Sequence, residues 1–227
     1  MNTMRIFLVI LTLIGIVHIV AIFLEKETLR HVTKILIVPS LLAAYICGAG
    51  NQPFFPIPAL VLGWIGDILL IRIEKKRNFV LGLVSFLLGH LCYIIAFIGY
   101  LGFFGSGGAT GKINIPAIAI LGPPFIVLGI IIFRLIKPPK ELSIPVMLYI
   151  AILITMSLFG FQVFLCNPGL AGLSIITGCL CFMISDTILA YYTFRKRNIL
   201  GSAFVMFYYI LAQAEIILGI LSLKPGG

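Results

Sequence analysis

Two aspartates lie inside long apolar runs of the sequence. Asp67 is in GWIGDILL (63–70), and Asp186 is in ISDTIL (184–189). An ionisable side chain near the bilayer centre costs at least ~2.5–3.5 kcal/mol on insertion scales, so it faces the protein interior or a water-filled cavity. Two carboxylates that are close together in a low dielectric cannot easily both ionise, and they tend to share a proton. Such a pair supplies the acid and the base that cleavage of an acetal-like or ether bond requires.

Polar side chains on other apolar runs could support this chemistry. His90 and Tyr93 are three residues apart and share a helical face. His90 could orient a carboxylate or a water, or it could hydrogen-bond a neighbouring helix. Lys34 could hold a phosphate, or its ammonium could extend to the lipid headgroups. Trp64, beside Asp67, could pack or contact substrate.

Metal chemistry is not expected from this sequence. A metal site would use Asp67, Asp186 and His90, but no HxxxH pair or His-rich run accompanies them. The five cysteines lie in or beside apolar runs without CxxC spacing, which indicates buried thiols rather than a disulfide framework or a zinc site. Glu215, two residues after Gln213, is expected to make a polar contact between helices.

Composition indicates that membrane helices position these residues. Of the 227 residues, 61% are hydrophobic and 10% are charged, and the mean hydropathy is +1.21. A soluble domain would carry about a quarter charged residues. Several apolar runs reach the roughly 20 residues that a helix needs to cross a bilayer. We therefore predict an all-α polytopic membrane bundle of eight transmembrane helices, at about 4–24, 31–50, 58–74, 79–101, 113–136, 143–165, 169–194 and 200–222.

Lysine and arginine fall almost wholly on one side of these spans. Thirteen lie in or beside the loops that join odd to even spans, and the other side has only Arg5, Lys112 and Lys224. The positive-inside rule places the basic loops in the cytoplasm and both termini outside, in the cytoplasmic membrane if the source is prokaryotic. The net charge of +9 therefore reflects topology, and no nucleic-acid partner is expected.

The two aspartates recur in similar surroundings, which indicates an internal repeat. The basic turn 75–78 follows Asp67 in the sequence, and the basic turn 195–198 follows Asp186. Each aspartate lies in the third span of a four-helix half. Both halves run in the same direction, so we predict one transmembrane domain over 1–227 with parallel halves of about 1–107 and 108–227. The spacing to each turn puts both carboxylates roughly 12–14 Å above the cytoplasmic boundary.

Three elements together resemble the YhhN-like lysoplasmalogenase family of eight-span membrane proteins. They are Gly66-Asp67, His90-x-x-Tyr93 and Phe182-x-x-Ser185-Asp186-x-x-Leu189-Ala190. Lys34 followed by a proline is also similar, although the position directly after the lysine, where proline is usual, holds Ile35. The resemblance covers essentially the whole chain, and the order and spacing of the motifs carry it.

The resemblance implies hydrolysis of the vinyl ether bond of lysoplasmalogens to a fatty aldehyde and a glycerophospho-base. It implies Asp67 and Asp186 as the catalytic pair, with His90, Tyr93, Lys34 and Ser185 in supporting or substrate-binding roles. The expected partners are a lysophospholipid and membrane lipids, and no cofactor is expected.

Two rival functions remain open at this point. An intramembrane aspartyl protease shares the glycine-aspartate setting of GWIGD, although only one of the two aspartates has it. A proton-coupled transporter also uses paired membrane carboxylates and parallel repeats. Aldehyde release, peptide scission and proton flux without a product would separate the three.

Overall fold

A computed structural model of the chain describes residues 3–50, 52–73, 75–102, 113–195 and 198–223, without the side chain of Lys76. The described residues form eight α-helices and no strand, which confirms the predicted all-α bundle. Their bounds are α1 Thr3–Phe23, α2 Glu27–Gly48, α3 Pro56–Leu70, α4 Lys76–Tyr100, α5 Ile115–Ile136, α6 Ser143–Cys166, α7 Leu170–Thr193 and α8 Ile199–Ser222, with a 3₁₀ turn at Lys140–Leu142 before α6.

Seven of the helices in the described chain are long and apolar enough to cross a bilayer, so this is a multi-pass membrane protein. The exception is α3, which has 15 residues where the sequence analysis predicts a full span over 58–74. It begins with Pro56 in its first turn, and its last turn tightens so that Ile71 N donates to Ile68 O at 3.2 Å. A helix of this length rises only about 22 Å.

The short α3 changes the setting of Asp67. Only three helical residues follow Asp67 in α3, whereas seven follow Asp186 in α7. The asparagines of the two basic turns differ as well, because Asn78 lies inside α4 while Asn198 is the N-cap of α8 and accepts from Gly201 N at 2.6 Å. The equal depth of the carboxylates and the parallel repeat stay predictions.

Contacts between residues divide the chain into two compact units, Met1–Ala96 and Phe97–Gly227. The single domain with halves at 1–107 and 108–227 stays a prediction. The predicted boundary between the halves, at residues 107 and 108, and the charges Lys112, Lys196, Arg197 and Lys224 lie outside the described residues.

In the first unit, α1 packs along α2, and α2 packs on α3. His18 and Thr33 join the first pair through a 2.7 Å contact between Nδ1 and Oγ1. In the second unit, the closest pairing is between α7 and α8. Gly178 and Gly219 permit it, since a Cβ at Gly178 would lie 2.9 Å from Ala212 O, and one at Gly219 would lie 2.8 Å from Ala171 O.

Candidate functional site

The first unit holds Asp67 against a cation from the preceding helix. Asp67 is only 3% exposed, and its Oδ1 lies 3.5 Å from Nζ of Lys34 on α2. Burial of a carboxylate in a membrane helix is costly unless it is paired, and Lys34 provides that pairing. The structure thus brings together two residues that the sequence analysis singled out separately.

Helix α4 packs closely on the Asp67 helix because small residues line the contact. A Cβ at Gly66 would lie 2.6 Å from Cε2 of Phe86, and one at Gly89 would lie 3.1 Å from Ala59 O. Ser85 Oγ donates to Leu62 O at 2.6 Å, which further joins α3 to α4. These contacts fix the antiparallel register of the two helices next to Asp67.

His90 and Tyr93 lie on α4, in the part of that helix that belongs to the first unit. Both side chains are 1% exposed. Gly89, beside His90, lies level with Ala59, and a Cβ at Gly89 would lie 3.7 Å from the N of Gly63, one helical turn from Asp67 towards the start of α3. His90 and Tyr93 are therefore buried in the unit that carries Asp67, and their supporting roles stay predictions.

Trp64, whose role the sequence left open, makes a directed contact. It lies three residues before Asp67 on α3, and its Nε1 donates to the Ile35 carbonyl of α2 at 2.9 Å. Ile35 directly follows Lys34. Two neighbouring residues of α2 therefore contact one face of α3.

The second unit holds Asp186 through a hydroxyl. Tyr149 of α6 donates to Asp186 Oδ2 at 2.5 Å, and Asp186 is half-buried. Ser185 is 1% exposed, and its Oγ donates to the Val205 carbonyl of α8 at 3.0 Å. That bond joins α7 to α8, so the hydroxyl of Ser185 is already engaged, while its assignment to substrate stays a prediction.

Further buried side chains surround the Asp186 turn of α7. Phe182, one turn before Asp186, meets Tyr209 of α8 edge-to-face, with ring centroids 5.6 Å apart. Gln213 Nε2 lies 3.4 Å from the Tyr209 hydroxyl, and all three side chains are buried. Asp186 thus lies beside a neutral donor, Tyr149, on a helix whose preceding turn packs against Tyr209.

The two aspartates have partners at equivalent places in their units. Each partner comes from the second helix of its unit, and each aspartate comes from the third. Lys34 is the seventh residue after the first residue of α2, and Tyr149 is the sixth after the first of α6. The two contacts join equivalent helices but differ in chemistry, because Lys34 is a cation and the Tyr149 hydroxyl is neutral.

Sequence reasoning missed Tyr149. It is one of eight tyrosines, and its position in α6 carries no motif or charge that separates it from the others. The repeat itself offered a signal, because aligning the starts of α2 and α6 would have set Tyr149 beside Lys34. Using that signal requires helix bounds accurate to one residue, which the apolar runs do not provide.

Glu215, the one carboxylate of α8, makes the expected polar contact. Thr177 Oγ1 of α7 lies 3.4 Å from Glu215 Oε2, and the same hydroxyl donates to Leu173 O at 2.9 Å. Within the described part of the chain, no three His, Cys, Asp or Glu side chains gather as metal ligands would.

An apolar groove of about 490 Å³ lies between α5 and α6 in the second unit. On α6 its lining follows one face, from Met147 through Ile150 and Ile154 to Leu158. Tyr149 points to the opposite face at 100° per residue, towards Asp186. The groove is therefore separate from the Asp186 cluster.

The sequence model of the YhhN family matches residues 29–220, a range that runs from the first turn of α2 to near the end of α8 and includes both aspartates, Lys34 and Tyr149. No curated protein and no solved structure matches the chain.

Proposed function

Because this chain belongs to the YhhN family, we propose that it is a membrane-embedded hydrolase that cleaves the vinyl ether bond of lysoplasmalogens. The products are a fatty aldehyde and a glycerophospho-base. The observation that carries the proposal is the buried Asp67 carboxylate, which is paired with Lys34 inside a membrane protein. Intramembrane ionisable residues with a named partner mark functional sites by default.

Lys34 recognises the phosphate of the lipid. Its ammonium lies 3.5 Å from Asp67, beyond the ~2.7–2.9 Å of a strong charge-assisted hydrogen bond, and its side chain is 19% exposed. Lysine acts as a compact point charge with three donors, so an arriving phosphate can take over the cation. Substrate binding then leaves Asp67 as a buried carboxylate without its cation.

The loss of the cation makes Asp67 the acid. A carboxylate that is 3% exposed is poorly solvated as an anion, so it takes up a proton once the phosphate holds Lys34. Asp186 keeps its neutral donor, the Tyr149 hydroxyl, and acts as the base. The two partners thereby divide the roles that the sequence left symmetric.

In the proposed reaction, Asp67 and Asp186 transfer all of the protons. Protonated Asp67 gives its proton to the β-carbon of the vinyl ether, which leaves an oxocarbenium ion that the Asp186 carboxylate stabilises. Asp186 takes a proton from water as the water oxygen attacks the cation, and a hemiacetal forms. Asp186 returns that proton to the glycerol oxygen as the C–O bond breaks, and Asp67 takes the hydroxyl proton of the hemiacetal. At the end of the reaction, each aspartate has the protonation state with which it began.

The headgroup enters from the basic side of the membrane, which we assign to the cytoplasm. Lys34 is seven residues, about 10 Å, into α2 from its basic end. A reporter enzyme that works only in the cytoplasm, fused to the C-terminus, is expected to be inactive. An active fusion would reverse the orientation.

The experiment that tests the function is incubation of the detergent-purified protein with a lysoplasmalogen, followed by mass spectrometry of the lipids. We expect fatty aldehyde and the glycerophospho-base in equal amounts. Scission of a helical peptide without aldehyde would favour the protease. Lipid-dependent proton flux in liposomes without a product would favour the transporter.

A further inference from the structure

Helix α2 has a carbonyl that its own backbone cannot satisfy. In an α-helix the carbonyl of residue i accepts from the N–H of residue i+4, and Pro39 has no N–H. The Ile35 carbonyl, four residues earlier, therefore lacks its helical donor. Water is not available in the bilayer core to replace it, so a donor must come from the protein.

Trp64 of α3 supplies that donor. Its Nε1–H points to the Ile35 carbonyl at 2.9 Å, which is a normal hydrogen-bond distance. The indole of Trp64 can only donate, and the Ile35 carbonyl needs a donor because Pro39 has no N–H. Pro39 and Trp64 are far apart in sequence, and together they create a hydrogen bond between α2 and α3.

The hydrogen bond from Trp64 to Ile35 lies directly beside the ion pair of Lys34 and Asp67. Lys34 and Ile35 are consecutive on α2, and Trp64 and Asp67 are three residues apart on one face of α3. A lysine side chain is flexible, and its ammonium has no fixed direction of bonding. The position of its backbone relative to α3 therefore determines whether the ammonium reaches Asp67.

From this geometry we propose that Trp64 is a positioning residue. Its indole N–H binds the carbonyl that Pro39 leaves without a donor, and it thereby holds Lys34 at ion-pair distance from Asp67. The catalytic part of this inference rests on the proposed function, since it states how the lysine that exchanges between Asp67 and a phosphate is kept in place.

The test is a double-mutant cycle on the purified protein. Trp64→Phe removes the N–H and keeps an aromatic ring, whereas Pro39→Ala gives position 39 a backbone N–H that can serve the Ile35 carbonyl. With Pro39 present, Trp64→Phe is expected to lower kcat/KM for lysoplasmalogen about tenfold, as for a buried hydrogen bond. In the Pro39→Ala background it is expected to cost less than about twofold. An equal cost in both backgrounds would overturn the proposal.

A second readout does not depend on activity. The reactivity of each lysine towards a membrane-permeant amine reagent is measured by mass spectrometry of the labelled protein. Trp64→Phe is expected to raise the labelling of Lys34 alone, and adding Pro39→Ala is expected to leave that rise in place, because an N–H at position 39 serves the Ile35 carbonyl without joining α2 to α3. A rise at all lysines would indicate general loosening, and no rise at Lys34 would also contradict the proposal. If the wild-type protein releases no aldehyde, the proposed function fails while this readout still decides the positioning role.

Discussion

The ammonium of Lys34 lies 3.5 Å from Oδ1 of Asp67, near enough to neutralise a buried carboxylate and too far for a strong hydrogen bond. The corresponding contact in the second unit, from Tyr149 to Asp186, is 2.5 Å long. The cation is thus the looser of the two partners. The proposed mechanism depends on this difference, because one partner must leave its aspartate and the other must stay.

Replacing Lys34 by glutamine is expected to act in opposite directions on two substrates. For lysoplasmalogen, KM rises about tenfold because a charged contact to phosphate is lost. For a 1-alkenylglycerol without phosphate, turnover rises, because no cation then competes for Asp67. Initial rates of aldehyde release measure both.

Lys26→Gln is the matched control, since Lys26 is exposed just before α2. It is expected to change neither rate. An equal loss on both substrates in Lys34→Gln would contradict the exchange of Lys34 between Asp67 and phosphate.

Removing the Tyr149 hydroxyl is expected to slow turnover without weakening binding. Tyr149→Phe deletes a hydrogen bond to a charged carboxylate, which contributes roughly 1.5–3 kcal/mol, so kcat falls about tenfold to a hundredfold while KM holds. Tyr208→Phe removes a hydroxyl from a ring of α8 that packs on Phe204 and Phe207 and serves as the control. If Tyr149→Phe matched that control, the donor would have no part in the mechanism.

Hydrolysis in D₂O tests which carbon is protonated. Proton transfer from Asp67 to the β-carbon predicts a single deuterium at C2 of the aldehyde, trapped by rapid reduction and read by mass spectrometry. In H₂¹⁸O the glycerol oxygen is expected to stay unlabelled, because water attacks the alkenyl carbon. Aldehyde without deuterium, or label in the glycerol product, would contradict the oxocarbenium route.

The contact of α3 with α4 predicts a stability effect. Gly66→Ala places a Cβ 2.6 Å from the Phe86 ring, and overpacking of this kind typically costs about 1–3 kcal/mol. Circular dichroism during thermal unfolding in detergent measures it. Gly122→Ala on α5 is the control and is expected to unfold like wild type, because a Cβ there would meet no described residue beyond its own helical backbone within 4 Å. Equal unfolding temperatures for the two variants would show that α3 and α4 are not closely packed there.

The sequence predicts all eight helices because bilayer thickness fixes the length of an apolar run and charged or turn residues interrupt it. The end of α3 is the exception. Ile71 and Ile73 follow Leu70 with only Arg72 between them, so hydropathy extends the helix beyond Leu70, where the structure ends it. The cost of placing a carboxylate in hydrocarbon identified Asp67 and Asp186 from sequence.

Partners were harder to predict than the aspartates themselves. Lys34 and Asp67 are 33 residues apart, and Tyr149 and Asp186 are 37 apart, so only the packing of helices reveals each contact. Trp64 shows the same limit. The missing N–H of Pro39 is evident from sequence, but the side chain that replaces it comes from a different helix.

The most direct test of the paired-aspartate mechanism is aldehyde release by three variants, each of which replaces one membrane carboxylate with its amide. Asp67→Asn and Asp186→Asn are each expected to lower kcat at least about a hundredfold, as for loss of a general acid or base. Glu215→Gln, which alters the carboxylate beside Thr177, is expected to keep wild-type turnover. All three are expected to purify as folded protein. Full hydrolysis by either aspartate variant would contradict the mechanism.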